Sequence, residues 1–356
     1  MTRAACVLAL TLASALAAAP RAAGEAVPAA PPAGAEAAVD DRELQRKVEA
    51  GLDRCIGAGL SWGHYEGQFK EVLALGPGVP RVLLKLFTTP HAIYAFAHDF
   101  ADHPGEDAVD RELRTLILQR LAGDALGAAG DRSLAPALAA FVADLERANP
   151  DLLRAGAAQQ DACETAAVAL LRLGDPVHFD RRVRTLRAAS GATVGADGAL
   201  QVDPAPDREG RYRQWDLLTR LASLHARDDN LASAERAYQR VIDMAGAEIR
   251  RLQKAPEPRE DWPRPILTLR GAHYNIACLF AQRGRVTDAL RNLRRAVDFG
   301  YLDVEWLGRD RDLDPIREDP GFAALLVDLQ ARLRSFREAA EKELERSVEP
   351  RLPKRD

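Results

Sequence analysis

The densest group of chemistry-bearing side chains is His98-Asp99-Phe100-Ala101-Asp102-His103. Imidazole nitrogens and carboxylate oxygens both ligate divalent metal ions. On a helix, His98 and Asp102 would share one face, and Asp99 and His103 the adjacent one, giving a two- or three-ligand set. The spacing lacks the one-turn histidine pair of the zinc-protease helix. The segment runs into Pro104-Gly105, so its ordinary reading is a polar helix end. A metal-dependent enzyme or metal-binding protein using His98–His103 is therefore an alternative, and no metal ligand is assigned.

Covalent catalysis needs a nucleophile beside a base, with an oxyanion donor pair. The sequence has no G-x-S-x-G elbow, no Walker loop and no G-x-G-x-x-G. Gly57-Ala58-Gly59 leads into Leu60-Ser61-Trp62 and reads as a loop, with Trp62, Tyr65 and Phe69 as packing residues. No catalytic residue and no cofactor is expected. Beyond the N-terminal run, the cysteines are Cys55, Cys163 and Cys278, an odd set without C-x-x-C spacing. Cys55 shares helical spacing with Val48, Leu52 and Ile56. Cys163 does so with Ala167, Leu170 and Leu171. Both read as small buried hydrophobes, and a disulfide stays open in an oxidising compartment.

The elements that position these groups should be helices. Among 356 residues, 47% are hydrophobic and only 6% aromatic. Ala and Leu dominate, which favours helix over sheet, and the length allows two domains. A net charge of -4 gives no clustered positive field, so nucleic acid is not an expected partner. Residues 1–19 read as an export signal: Arg3, the apolar run Ala4–Ala19, and the small-x-small site Ala15-Leu16-Ala17. No later segment is long and apolar enough to span a bilayer, so no transmembrane segment is expected after its removal. The location implied is periplasmic or secreted. Residues 20–39, rich in Ala and Pro, read as a flexible linker, with Asp40 or Asp41 as cap of the first helix.

Residues 40–189 read as helix pairs around the turns Leu75-Gly76-Pro77, Ala129-Gly130-Asp131 and Leu173-Gly174-Asp175-Pro176. An apolar stripe flanks each turn. Ala166–Ala189, AAVALLRLGDPVHFDRRVRTLRAA, resembles a HEAT-type helical repeat, which implies an α-solenoid. Residues 190–210 form a linker in which Thr193-Val194 and Leu200-Gln201-Val202 flank Asp197-Gly198, predicting a small hairpin near 192–203.

Residues 211–347 carry the clearer repeat, followed by a tail at 348–356. Ala277, Phe280, Gly284, Ala289, Leu293 and Ala296 recur at the offsets of Ala222, His225, Asp229, Ala234, Tyr238 and Val241. Leu302–Leu326, LDVEWLGRDRDLDPIREDPGFAALL, adds a Trp- and Asp-Pro-rich cap. Its Trp306, Leu307, Leu313, Ile316, Phe322, Leu325 and Leu326 should cover the last apolar face. Asp314-Pro315 and Asp319-Pro320 should each start a short helix. The pattern resembles bacterial tetratricopeptide (TPR) repeat proteins with an end-of-array segment. Asp229 stands where the turn glycine is usual, and the two units lie farther apart than the repeat period.

That resemblance implies an all-α, non-enzymatic interaction scaffold of the bacterial envelope that takes a protein or peptide partner in a groove. Carried over position by position, the groove residues are Thr219, Arg220, Ser223 and Arg227, then Tyr274, Asn275, Cys278 and Gln282. Arg220 and Arg227 would grip a carboxylate, Tyr274 would stack, and Asn275 and Gln282 would bind peptide backbone. Cys278 replaces the asparagine of the chaperone-tail clamp, which speaks against that ligand. A structural protein that associates with itself is a further alternative.

Overall fold

The computed structural model describes residues 35–57, 69–89, 108–153, 156–196, 198–254 and 263–348. The His98–His103 cluster, Trp62, Tyr65, the signal segment and the tail lie outside them, apart from Val348 at the end of the last helix. The chain divides into two compact units, Met1–Ala237 and Tyr238–Asp356. It is all-α apart from one small hairpin, and no described helix is long and apolar enough to cross a membrane.

The first unit begins with α1 (Ala35–Gly57), α2 (Lys70–Leu73) and α3 (Val79–Thr88). α1 starts five residues before Asp40, so Asp40 lies inside the helix and the end of the expected linker is helical. α4 (Ala108–Ala129), α5 (Ala135–Ala148), α6 (Ala157–Arg172), α7 (Val177–Ala189) and α8 (Arg208–Arg227) follow. α4 packs on both α3 and α6. A β-carbon on Gly123 would meet Thr165 Cγ2 at 2.4 Å and Phe87 Cε2 at 2.8 Å. The missing side chain is what lets α4 and α6 approach so closely. Val48, Leu52, Phe69, Leu83, Leu86, Phe87, Leu126, Leu138 and Leu170 form one core. Cys55 and Cys163 are buried there and all three described cysteines are free thiols, as the helical spacing of the first two predicts.

β1 (Ala192–Val194) and β2 (Leu200–Val202) pair antiparallel with Ala192 opposite Val202, the hairpin expected near 192–203. This hairpin does not divide the chain. α8 follows it, yet packs on α7 and α6 within the first unit. The sequence placed the boundary at 190–210 because its Pro and Gly content reads as a linker; buried ion pairs described below hold α8 to the preceding helices.

α9 (Leu231–Lys254) contains the division at Ala237. In the second unit, α10 (Pro263–Gln282) and α11 (Val286–Asp298) form an antiparallel hairpin. α12 (Val304–Arg309), a 3-10 turn (Arg311–Ile316) and α13 (Pro320–Val348) close it. Leu307, Leu313, Ile316, Phe322 and Leu325 are buried, as expected of the cap, whereas Trp306 and Leu326 are half-buried. Asp319 accepts from Gly321 N–H at 2.7 Å at the start of α13. Pro315 instead sits inside the 3-10 turn, because Asp310 caps that turn four residues earlier than Asp314 would.

The helix-to-helix turns at Asp229 and Gly284 share one geometry. Gly284 has φ 66, and the next N–H, of Arg285, reaches back to the Phe280 carbonyl at 2.8 Å. Asp229 has φ 54, and Asn230 N–H reaches the His225 carbonyl at 2.9 Å. This is the left-handed helix terminator, in which a β-carbon is strained against the backbone. A β-carbon at Gly284 would meet nothing within 4 Å, so its cost is conformational alone. Gly284→Ala should therefore lose about 1–2 kcal/mol in urea unfolding, while Asp229→Gly should leave stability unchanged or raise it by up to about 1 kcal/mol.

Candidate functional site

Tyr274, Cys278 and Gln282 recur every four residues along α10 and so share one face. The sequence puts them on a groove. The structure puts them under the chain's own cap. The Tyr274 hydroxyl donates to Asp310 Oδ2, and Trp306 Nε1 donates to Tyr274 Oη at 2.7 Å. Cys278 Sγ lies 3.9 Å from the same Asp310 oxygen. Gln282 Nε2 donates to Asp312 Oδ1 at 2.8 Å, and Asp312 N–H donates to Asp310 Oδ1 at 3.0 Å. Tyr274, Cys278, Asp310 and Asp312 are all buried.

The 3-10 turn positions the acids because Asp310 ends α12 and caps the next turn with its own carboxylate, which brings Asp312 round onto α10. Tyr301 stacks on Tyr274 with ring centroids 4.5 Å apart. Burial and the neighbouring Asp312 push the Asp310 carboxyl up to about 7. Burial, then Asp310, pushes the Cys278 thiol up; burial also raises the Tyr274 phenol. At neutral pH the Asp310 carboxyl thus keeps part of a proton that a water-exposed carboxyl would have released.

Arg227 and Arg220 are also turned inward. Arg227 is 2% exposed; its Nη2 donates to Asp124 Oδ1 at 2.7 Å and to Thr165 Oγ1 at 2.9 Å. Arg220 donates to Glu164, which also takes Arg182 Nε at 3.2 Å and Nη2 at 3.1 Å. The expectation of a free carboxylate grip at Arg220 and Arg227 is corrected by these bonds: the carboxylates gripped belong to α6 and α4. Tyr274 and Gln282 are corrected in the same way by Asp310 and Asp312. Thr219, Ser223 and Asn275 are half-buried, and these three are the groove candidates that no bond of this kind turns inward among the described residues.

Sequence reasoning aligned the α10 face correctly and missed Asp310 and Asp312. The available signal was the Asp-x-Asp spacing next to a Trp, in a segment read only as an apolar cover. Compared with known proteins, the chain matches no family model, no curated protein and no solved structure.

Proposed function

We propose that the chain is a non-catalytic protein-interaction scaffold of the bacterial envelope, with TPR-like hairpins toward its C-terminus and HEAT-like pairs before them. What supports the repeat reading is position by position. Ala222, His225, Ala234, Tyr238 and Val241 are buried, as are Ala277, Phe280, Ala289, Leu293 and Ala296. Both turn positions, Asp229 and Gly284, are left-handed. The export reading rests on residues 1–19 of the sequence.

The surface offered to a partner is α13, and the observation that carries this is its exposed continuation. Phe322, Leu325 and Leu329 hold the helix against α11 and α12. The stripe then continues at helical spacing as Leu333, Phe336 and Ala340, where Phe336 is 62% exposed. An amphipathic helix of a partner protein is the ligand such a stripe fits. Partner capture from an envelope extract by the immobilised full chain should fall at least tenfold for Leu333→Asp with Phe336→Asp, with no change in Tm. Equal capture by parent and variant would remove α13 from the reading.

A second copy of the chain is the other reading, favoured by charge order. Arg334 and Arg337 precede Glu338 and Glu341 along the same exposed turns. An antiparallel pair would set the basic turns of one copy against the acidic turns of the other. Light scattering decides it: a salt-sensitive dimer supports the second copy, and a monomer across protein concentrations rejects it.

A further inference from the structure

We propose that Cys278, Asp310 and Asp312 form a binding site for a thiol-accepting divalent cation, zinc foremost, which fastens the Trp306–Asp312 segment to α10. The site is independent of the partner surface on α13. One ligand atom from each of the three residues lies within 4.8 Å of the others, and all three residues are buried. A tetrahedral zinc with bonds of about 2.3 Å to sulfur and 2.0–2.2 Å to oxygen separates its ligand atoms by about 3.3–3.7 Å. Cys278 Sγ and Asp310 Oδ2, at 3.9 Å, stand close to that spacing without rearrangement.

Asp310 alone has a sufficient explanation as the cap of the 3-10 turn. That explanation does not account for a thiol, a second carboxyl and a second phenol converging on it. Tyr301 is the independent sign of a missing group. It is 3% exposed, and its hydroxyl has no hydrogen-bond partner among the described residues. Its ring stacks on that of Tyr274, parallel within 5°, with centroids 4.5 Å apart. Besides burial, the Tyr274 hydroxyl and then the charges of Asp303, Cys278 and Asp310 act on its phenol. A buried phenol without a partner costs stability unless something fills the space it faces.

A cation occupies that space chemically as well. Binding displaces the thiol proton of Cys278 to solvent and forms one metal–sulfur bond and two metal–oxygen bonds, to Asp310 and Asp312. Three protein ligands leave a tetrahedral ion one position for water. Outside the ligands, Gln282 orients Asp312 and Trp306 orients Tyr274, the supporting hydrogen bonds that a metal site needs.

Equilibrium dialysis of the full chain, purified without a histidine tag, against zinc tests the proposal without any variant. One zinc per chain is expected, and less than this at micromolar metal overturns it. Cobalt(II) in place of zinc should show a thiolate charge-transfer band that Cys278→Ser abolishes. Asp312→Asn should weaken binding at least tenfold while helicity is kept. Binding that survives Cys278→Ser but is lost in His98→Ala with His103→Ala would assign the metal to the histidine cluster and overturn the site.

Discussion

Arg227→Ala should lower the unfolding free energy by about 3–5 kcal/mol, the loss seen when one partner of a buried ion pair is removed. The guanidinium joins three helices: it sits on α8, bonds Asp124 on α4 and bonds Thr165 on α6. Its removal leaves the Asp124 carboxylate, 2% exposed, with Arg120 Nε at 3.9 Å as its remaining ion-pair partner among the described residues. A charge left in the interior without close partners is what makes the change severe. Arg220→Ala should cost less, since Arg220 is 22% exposed and Glu164 keeps Arg182. Replacing both members, Arg227→Met with Asp124→Leu, should restore most of the loss, because the desolvation of both charges disappears with them. Urea unfolding followed by circular dichroism measures all three against the parent. A parent-like midpoint for Arg227→Ala would return this residue to the surface role that the sequence suggests.

The same residues show how far the sequence could be read. Helical periodicity located α3, α6, α7, α10 and α11 because burial needs one apolar stripe per helix, and that stripe is written in residue spacing. The hairpin at 192–202 was legible because strand residues flank a tight-turn pair. Arg220 and Arg227 were aligned to the correct helix face, but a face has no label saying whether solvent or another helix lies over it. Glu164 and Asp124 are 56 and 103 residues away, and a long-range ion pair leaves no local pattern. Asp310 and Asp312 were hidden for a related reason. Asp beside Pro and Arg normally marks a solvated turn, and only the packing of the 3-10 turn against α10 takes these two out of water.

The pH dependence of the second unit should report that burial directly. Asp310 ionises near 3.8 in the unfolded chain and near 7 in the folded one, chiefly through loss of solvent and then through Asp312. Between those values the folded state keeps a proton that the unfolded state has released. Stability must then be greatest below about pH 4, fall as the pH rises toward 7, and level off above it, by a total on the order of 4 kcal/mol. Glu49, raised by burial to about 7, has the same sign in the first unit. His225, lowered by burial from 6.5 to about 4, has the opposite sign, losing stability as the pH falls through that window. A single profile would therefore mix several groups, and the difference between the parent and Asp310→Asn isolates one of them. Asparagine keeps an acceptor for Asp312 N–H and cannot ionise, so it imitates the protonated acid. With a chelator present, the variant should match the parent below about pH 4 and exceed it near pH 8. Zinc should reverse the order at pH 8, stabilising the parent alone. Parallel profiles for the two proteins would mean that Asp310 titrates as an ordinary carboxylate, and the buried cluster would lose its claim to hold either a proton or a metal.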